Sequence, residues 1–221
     1  MLRPKPIPGV VQPKPGEELI SIPGPMPGIG PFPSYSDALI SACSLILGKP
    51  HAIAGRTSDP NFGLYWRLST EYCAWIYYTP DGNYEMSMLA ASAVQDDATK
   101  RRCNLPTFVD DPRYPADSLG YIFVLHNHPY TDTLTELDIR FIVSMGRIHG
   151  FEVQANKQRI PLSIVAFFSN DKQPRCDGFY QYAPLTGQIL KWTVNAQGEW
   201  NRESTATVTW TDSESYRIEK N

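Results

Sequence analysis

The chain has 221 residues, which is enough for one medium-sized domain with a hydrophobic core and an appendage. Hydrophobic residues make up 42% of the chain and charged residues 19%, a composition typical of globular rather than disordered or fibrous proteins. The net charge of −3 and the pI near 5.8 argue against nucleic-acid binding, which usually needs a basic face.

Membrane insertion and secretion are not indicated by the sequence. It has no apolar run of the roughly 18 residues that a membrane-spanning helix needs. The N-terminal stretch MLRPKPIPGVV also lacks the apolar centre of a signal peptide. We therefore expect no membrane association and a cytoplasmic location, with export by a route that needs no signal peptide left open.

The four cysteines are widely spaced and contain no CxxC pair, which disfavours a four-thiolate zinc ribbon. Buried free thiols are the favoured interpretation, ahead of disulfides. The residues concerned are Cys43, Cys73, Cys103 and Cys176.

Residues 1–33 contain ten of the twenty prolines and five of the fifteen glycines. Proline at this density removes backbone donors and favours the extended polyproline II conformation. We predict an arm or linker that lies on another surface, either as a tether within a larger assembly or as a segment that binds a protein partner.

Regular structure is predicted from Ser34 onward. Ser34 and Asp37 have the spacing of a helix N-terminal capping box, and Gly48 is placed to end the helix. The predicted apolar stripe of this helix is Leu39, Ile40, Cys43, Ile46 and Leu47.

A β-hairpin is predicted next, in which the strand YCAWIYYT meets the turn PDGNY before YEMSML continues. Glu71 stands at the start of the first strand. Residues 95–118 are polar and contain several prolines, so we predict a long surface loop there, followed by the apolar strand GYIFVLHNH.

Helical periodicity begins at Leu134, with a predicted apolar face of Leu137, Phe141, Met145 and Ile148. PLSIVAFFS is a further buried strand, and GFYQYAP, TGQILKWTV and TATVTW form a closing antiparallel set. This order predicts an α/β or α+β sandwich built on a mixed β-sheet flanked by helices.

The stretch HNHP indicates a metal site. Residues two apart on a strand project to the same face, so His126 and His128 can reach one ion while Asn127 points away. Zinc accepts imidazole nitrogen, and catalytic zinc sites commonly combine three protein ligands with a water. Asp138 is the candidate third ligand, although Thr135 and Asp138 also have the spacing of a helix cap that needs no metal.

Taken together, these residues resemble the motif of the JAMM (MPN+/JAB) zinc metalloprotease family, in particular its bacterial JAB-like branch. The family pattern is a glutamate on an early strand, then H-x-H-P, a spacer and S-x-x-D. The matching pieces are Glu71, HNHP at 126–129 and TELD at 135–138. The spacer is one residue shorter than the usual form, and Thr135 replaces the usual serine.

The resemblance implies a cytidine-deaminase-like or JAB-type sandwich over residues 34–170. It does not cover residues 171–221, which we expect to form a C-terminal β extension packed on the same domain. It also implies that His126, His128 and Asp138 bind Zn2+ and that Glu71 acts as the general base. Thr135 would donate a hydrogen bond to the oxyanion of the tetrahedral intermediate.

Several alternatives for individual roles remain open at this point. Glu85, on the second hairpin strand, is the alternative base. Asp132 or water is the alternative third ligand, because of the short spacer. Cys73 shares the strand face of Glu71 and is interpreted as a bystander rather than a ligand.

The resemblance implies hydrolysis of an amide bond in a protein or peptide, such as an isopeptide bond to a ubiquitin-like modifier or a bond in a bacterial processing or conflict system. The loop 95–118 and the strands with Trp192, Trp200 and Trp210 are either substrate-binding features or an ordinary loop and core. The alternative function is a non-catalytic scaffold of the same fold that docks by its proline-rich arm. A nuclease or deaminase is disfavoured, since neither a basic groove nor the H-x-E and P-C-x-x-C pattern is present.

Overall fold

A ten-stranded mixed sheet organises the part of the chain that the structure describes. The structure is a computed structural model and describes residues 6–13, 17, 19–91, 103–130 and 132–221. Its helices are α1 (Tyr35–Leu47), α2 (Phe62–Leu68) and α3 (Glu136–His149), with one 3-10 turn at Ala116–Ser118. Its strands are β1 (Val10–Val11), β2 (Ser21–Pro23), β3 (Tyr72–Tyr78), β4 (Tyr84–Met86), β5 (Leu89–Ala91), β6 (Phe108–Asp110), β7 (Gly120–Asn127), β8 (Glu152–Ala155), β9 (Gln158–Pro161), β10 (Ser163–Phe168), β11 (Gly178–Ala183), β12 (Gln188–Val194), β13 (Trp200–Trp210) and β14 (Tyr216–Lys220).

The strands of the large sheet follow the order β1-β5-β3-β7-β10-β11-β12-β13-β14, and β4 also pairs with β3. β7 runs parallel to β10 and antiparallel to β3. The core residues of β10 alternate between the two faces, where Ile164 packs with α3 and Val165 packs with α1. The expectation of a mixed sheet flanked by helices is therefore confirmed.

α1 begins and ends where the sequence predicts. The side chain of Ser34 accepts a hydrogen bond from the backbone N–H of Asp37, and Gly48 is the C-terminal cap. Four of the five residues in the predicted stripe are buried, but Ile40 is 47% exposed. None of the helices in the described ranges is long and apolar enough to cross a membrane.

α3 forms where it is predicted, but its buried face agrees with the prediction only in part, at Met145. Leu137 and Ile148 are 52% and 54% exposed, so the predicted stripe is wrong at both positions. Helical spacing alone did not reveal this, because apolar residues occur on more than one side of α3. The buried residues are Ile139, Ile142, Val143, Met145 and Gly146.

The predicted hairpin is confirmed by the antiparallel pairing of β3 and β4, and the closing set β11 to β13 is confirmed as antiparallel. The short hairpin β8–β9 and the last strand β14 were not predicted. Residues 95–102 of the predicted loop lie outside the described residues. The rest of that loop prediction is wrong at β6, where Val109 is fully buried.

The described part of the proline-rich segment packs on the domain itself. β1 adds a parallel strand to β5, and β2 pairs in parallel with β6. The side chain of Ile22 is fully buried and that of Met26 is 4% exposed. These contacts differ from the expectation of a linker that leads to another surface. The division of the chain into an arm, a domain and a C-terminal extension, with boundaries at residues 33 and 170, remains a prediction.

The prediction of four free thiols is wrong. Cys43 in α1 is bonded to Cys176, and Cys73 in β3 is bonded to Cys103. Because the partners are 133 and 30 residues apart in sequence, their proximity depends on the tertiary fold and no local pattern indicates it.

Candidate metal centre

The two histidines lie where β7 ends. His126 belongs to the strand, and His128 follows Asn127, its last residue. The backbone N–H of His128 donates to the carbonyl of Phe167 at 2.8 Å, which continues the pairing of β7 with β10 beyond the end of the strand. Both imidazoles line one cavity on the α3 side of the sheet, as the alternation of side chains predicts.

The first turn of α3 brings Asp138 to the histidines. Thr135 is the N-cap, and its hydroxyl accepts a hydrogen bond from the backbone N–H of Asp138 at 3.3 Å. In return, Asp138 Oδ2 accepts from the Thr135 backbone N–H and hydroxyl, each at 2.7 Å. The predicted capping box is confirmed, and it directs the Asp138 carboxylate toward the end of β7.

His126, His128 and Asp138 converge on one point. The Nε2 atoms of the two histidines are 3.0 Å apart. His126 Nε2 lies 3.4 Å from Asp138 Oδ1, and His128 Nε2 lies 3.7 Å from Asp138 Oδ2. Ligand atoms about 2.0 to 2.1 Å from a tetrahedral zinc ion are about 3.3 Å from one another. The three side chains therefore form a group that could hold a metal ion.

The protonation states of His126 and Asp138 favour metal binding. Burial lowers the pKa of His126 to about 4 despite the nearby carboxylate of Asp138, so this imidazole is neutral at pH 7. Burial alone would raise the pKa of Asp138, but the two imidazoles and the Thr135 hydroxyl outweigh it and hold that pKa far below its usual value. A neutral imidazole and an ionised carboxylate are the forms that ligate metals.

His128 is oriented by the loop that follows it. Its Nδ1 lies 3.2 Å from the backbone carbonyl of Asp132, and donation to that oxygen leaves the Nε2 lone pair directed at the cluster. Burial by itself would lower the pKa of His128, but the carboxylates of Asp138 and Glu71 outweigh this and raise it.

Glu71 immediately precedes β3 and lines the same cavity as the three candidate ligands. The register between strands explains this, because Cys73 is paired with His126 across β3 and β7. The side chain of Glu71 is half-buried. The structure thus brings all five residues of the sequence motif to one cavity.

Asn127 is a residue whose part in the site the sequence did not reveal. It is fully buried, and its Oδ1 accepts from the backbone N–H of Tyr72 at 2.7 Å. Its Nδ2 donates to the carbonyls of Ala52 and Thr70 at 2.8 and 3.1 Å. Asn127 therefore fixes the chain on both sides of Glu71 to the segment that carries both histidines.

The cavity has a volume of about 150 Å³. The Cys73–Cys103 disulfide forms part of its wall, so Cys73 is a bonded wall residue rather than a free thiol beside the site. The lining residues outside the motif are Cys73, Cys103, Asn104, Leu105, Val124, Leu137, Phe141 and Ile164.

Two alternative assignments draw no support from the geometry. The buried carboxylate of Glu85 accepts from Arg113 at 2.9 Å, and Glu85 pairs with Tyr77 far along β3 from the cavity. The side chain of Asp132 accepts from the hydroxyl of Tyr130 and the backbone N–H of Thr133, while Asp138 reaches the cluster despite the short spacer.

The other histidines and the C-terminal tryptophans lie elsewhere. His149 stacks on Tyr121 with ring centroids 3.9 Å apart, and His51 is exposed. Trp192 and Trp200 line a second cavity of about 430 Å³ on the α1 side of the sheet. Trp210 packs on a ring of β14.

No family model matches the chain, and neither the curated proteins nor the solved structures contain a match.

Proposed function

We propose that this protein is a zinc-dependent hydrolase that cleaves an amide bond in a protein or peptide substrate. The observation that carries the proposal is the convergence of His126, His128 and Asp138 at zinc-ligand spacing, with Glu71 in the same cavity. The resemblance to the JAMM motif supports the same assignment, because the order and spacing of these residues in the sequence match the family pattern.

Zinc fits the donor set better than calcium or magnesium. Two imidazole nitrogens and one carboxylate oxygen suit zinc, whereas calcium and magnesium prefer sites made of oxygen ligands. Three protein ligands also match the usual catalytic zinc site, in which a water takes the fourth position. Zinc held by these residues would lower the pKa of that water toward about 7.

Glu71 is the proposed general base. Its carboxylate accepts the proton of the attacking water and returns it to the leaving amine. Cleavage of a neutral amide needs this transfer of a proton to the leaving group. Asn127 positions Glu71 for this step through the hydrogen bond to Tyr72 N–H.

Thr135 is the proposed donor to the oxyanion of the tetrahedral intermediate. Its hydroxyl donates to Asp138 Oδ2 in this structure, and the same oxygen also accepts from the Thr135 backbone N–H. The backbone bond can keep Asp138 in place while the hydroxyl turns to the substrate. A donor of this kind contributes on the order of 3 kcal/mol to transition-state stabilisation.

The test compares the zinc-loaded parent with its Glu71→Gln variant on a library of peptides prepared from a digested proteome. New N-termini are identified by mass spectrometry. The proposal predicts cleavage products in the parent that fall at least about a hundredfold in the variant, while both proteins bind zinc equally. Equal product formation in the two proteins, or no products from the parent, would count against hydrolysis at this site.

A further inference from the structure

The cavity of the candidate metal centre is mostly apolar outside the five motif residues. Eight further residues line it, and seven of them have aliphatic, aromatic or disulfide-bonded side chains. The polar exception is Asn104. Among the described residues that line the cavity, none is a lysine or an arginine. The cavity therefore combines the candidate metal ligands and an apolar surface in one space.

Two neighbouring strands place part of this apolar surface directly beside a candidate ligand. Val124 lies two residues before His126 on β7, so both side chains project to the same face of the sheet. Ile164 of β10 is the register partner of Val124, and it lines the same cavity. Both aliphatic side chains are 2% exposed. They form a packed apolar floor next to the imidazole of His126.

α3 supplies an apolar side of the cavity. Leu137 directly precedes Asp138, and Phe141 follows Leu137 by four residues, so the two side chains lie on the same side of the helix. Leu137 is 52% exposed and therefore lies at the opening of the cavity. Phe141 is partly buried against the core. The apolar side thus extends from the opening into the molecule.

The volume of the cavity limits what it can bind. A closed cavity of about 150 Å³ with Leu, Ile and Phe walls holds one benzene molecule. Here a space of about 150 Å³ must take the reacting amide as well as the neighbouring group of the substrate. The remaining space suits a side chain the size of alanine or valine better than an aromatic or long side chain.

Charge limits the occupant as well. The carboxylates of Glu71 and Asp138 balance the charge of a divalent ion, so the site offers no unpaired charge to an ionic group of the substrate. A charged group that loses its hydration without gaining a partner is strongly disfavoured. An apolar group, in contrast, gains free energy when it leaves water for an apolar surface. The lining therefore favours an uncharged apolar group.

We propose that this cavity selects substrates with a small, uncharged apolar side chain next to the amide that is cleaved. Val124 and Ile164 contact that side chain, Phe141 limits its size, and Leu137 excludes charged groups at the opening. This inference rests on the proposed hydrolase function, which places an amide substrate in the cavity.

The test measures binding rather than cleavage. The probes are hydroxamic acids, which all chelate zinc through the same group and differ in their acyl groups. The acyl groups are isobutyryl, which is small and apolar, 2-naphthoyl, which is large, 4-aminobutyryl, which is basic, and succinyl, which is acidic. Isothermal titration calorimetry with the zinc-loaded full chain gives the dissociation constants.

The proposal predicts that the isobutyryl probe binds at least about tenfold more tightly than each of the others. Equal affinities, a preference for a large or charged probe, or no binding of any probe would overturn it.

The size limit is tested at Phe141. Phe141→Ala enlarges the cavity, so we expect the affinity for the 2-naphthoyl probe to rise about tenfold relative to the isobutyryl probe. Ile148→Ala is the control, because Ile148 also lies on α3 but is 54% exposed and does not line the cavity. Unchanged selectivity in a folded, zinc-loaded Phe141→Ala protein would contradict the proposal.

The exclusion of charge is tested at Leu137, whose exposure makes its substitution compatible with folding. Leu137→Lys places an ammonium group at the opening, so we expect the succinyl probe to gain about tenfold in affinity relative to the isobutyryl probe. Ile148→Lys adds the same charge at an equally exposed position of α3 and should leave this ratio unchanged. Circular dichroism and the zinc content verify that each variant is folded and loaded. Equal ratios in the two lysine variants would contradict the role of Leu137.

The binding and cleavage experiments separate this proposal from the hydrolase proposal. Selective binding of the isobutyryl probe, without cleavage of any peptide by the zinc-loaded parent, would refute the hydrolase and leave a binding site for small apolar acyl groups. Cleavage of peptides at bonds that lack a small apolar neighbour would refute the selectivity and leave the hydrolase in place.

Discussion

At the level of single residues, the geometry of Asp138 allows two roles that the sequence presents as alternatives. One carboxylate oxygen, Oδ2, closes the capping box with Thr135, while Oδ1 faces His126 Nε2 at 3.4 Å. A carboxylate has two acceptor atoms, so helix capping and metal binding need not compete. The cap holds the ligand in place before a metal binds, which reduces the ordering that binding requires.

The hydroxyl of Thr135 can be tested by two substitutions at that position. Thr135→Val removes the hydroxyl that accepts from Asp138 N–H, and we expect it to lower the free energy of unfolding by about 1 kcal/mol. It also removes one of the two hydrogen bonds from Thr135 to Asp138 Oδ2, so we expect zinc affinity to fall by about tenfold. Urea unfolding and competition with a chromogenic chelator measure these effects. Thr135→Ser keeps the hydroxyl and is the matched control; equal losses in both variants would contradict the assignment.

Asn127 is a residue whose substitution should be costly although it contacts no metal. Asn127→Leu leaves the Tyr72 N–H and the carbonyls of Ala52 and Thr70 without their partner in the core. We expect the free energy of unfolding to fall by about 3 kcal/mol, measured by urea denaturation. The exposed Asn201→Leu should change it by less than about 0.5 kcal/mol. Similar values for the two variants would show that Asn127 does not hold these segments together.

At the scale of secondary-structure elements, local signals predicted α1, the β3–β4 hairpin, β7 and β10. Capping residues, the PDGNY turn and apolar runs are all short-range patterns. The buried face of α3 was predicted incorrectly at Leu137, which lines the cavity rather than the core. Helical periodicity does not distinguish a residue in a cavity wall from one in the core. β14 and the β8–β9 hairpin were missed because their residues are largely exposed and lack a long apolar run.

The two disulfides connect elements that no local pattern relates, and they yield a direct prediction. Thiol titration of the denatured, unreduced protein should detect no free thiol, and reduction should release all four. Reactive thiols before reduction would contradict the pairing.

Because Cys43 and Cys176 close the longer loop, Cys43→Ser/Cys176→Ser should lose about 1 kcal/mol more stability than Cys73→Ser/Cys103→Ser. Urea unfolding of the two double variants measures this difference.

Across the molecule as a whole, an ionic cluster with two buried carboxylates joins the loop after β6 to the β3–β4 hairpin. Arg113 donates to Asp111 and Glu85, at 2.7 and 2.9 Å, and the Tyr77 hydroxyl donates to Asp111 at 2.8 Å. Burial alone would raise the pKa of Asp111, but the hydrogen bonds from Arg113 outweigh it and lower that pKa.

This cluster predicts how stability depends on pH. A carboxyl group whose pKa is lower in the folded state stabilises the fold above its unfolded pKa of about 3.9, and this contribution is lost as pH falls through the folded value. We therefore expect Asp111→Asn to be less stable than the parent at pH 7 and to lose less stability between pH 5 and pH 3. Urea unfolding across this range is the measurement, and parallel pH profiles would contradict the assignment.

The site could be predicted from the sequence further than the fold around it. The spacing of His126, His128 and Asp138 in the sequence indicates their relative positions. Side chains along a strand alternate between the two faces of the sheet, and a helix capping box has a fixed number of residues. Other features depend on contacts between segments that are distant in sequence. These features are the disulfide in the cavity wall, the hydrogen bonds of Asn127 and the placement of α2. Such contacts have no signature in local periodicity, which is why the surroundings of the site emerged only with the structure.

The metal content of the purified protein tests most directly whether His126, His128 and Asp138 hold zinc. The full chain and its His126→Ala/His128→Ala variant are purified without chelators and measured by inductively coupled plasma mass spectrometry. We expect close to one zinc ion per chain in the parent and almost none in the variant. A parent that contains no zinc even after reconstitution, or a variant that retains as much zinc as the parent, would contradict the claim.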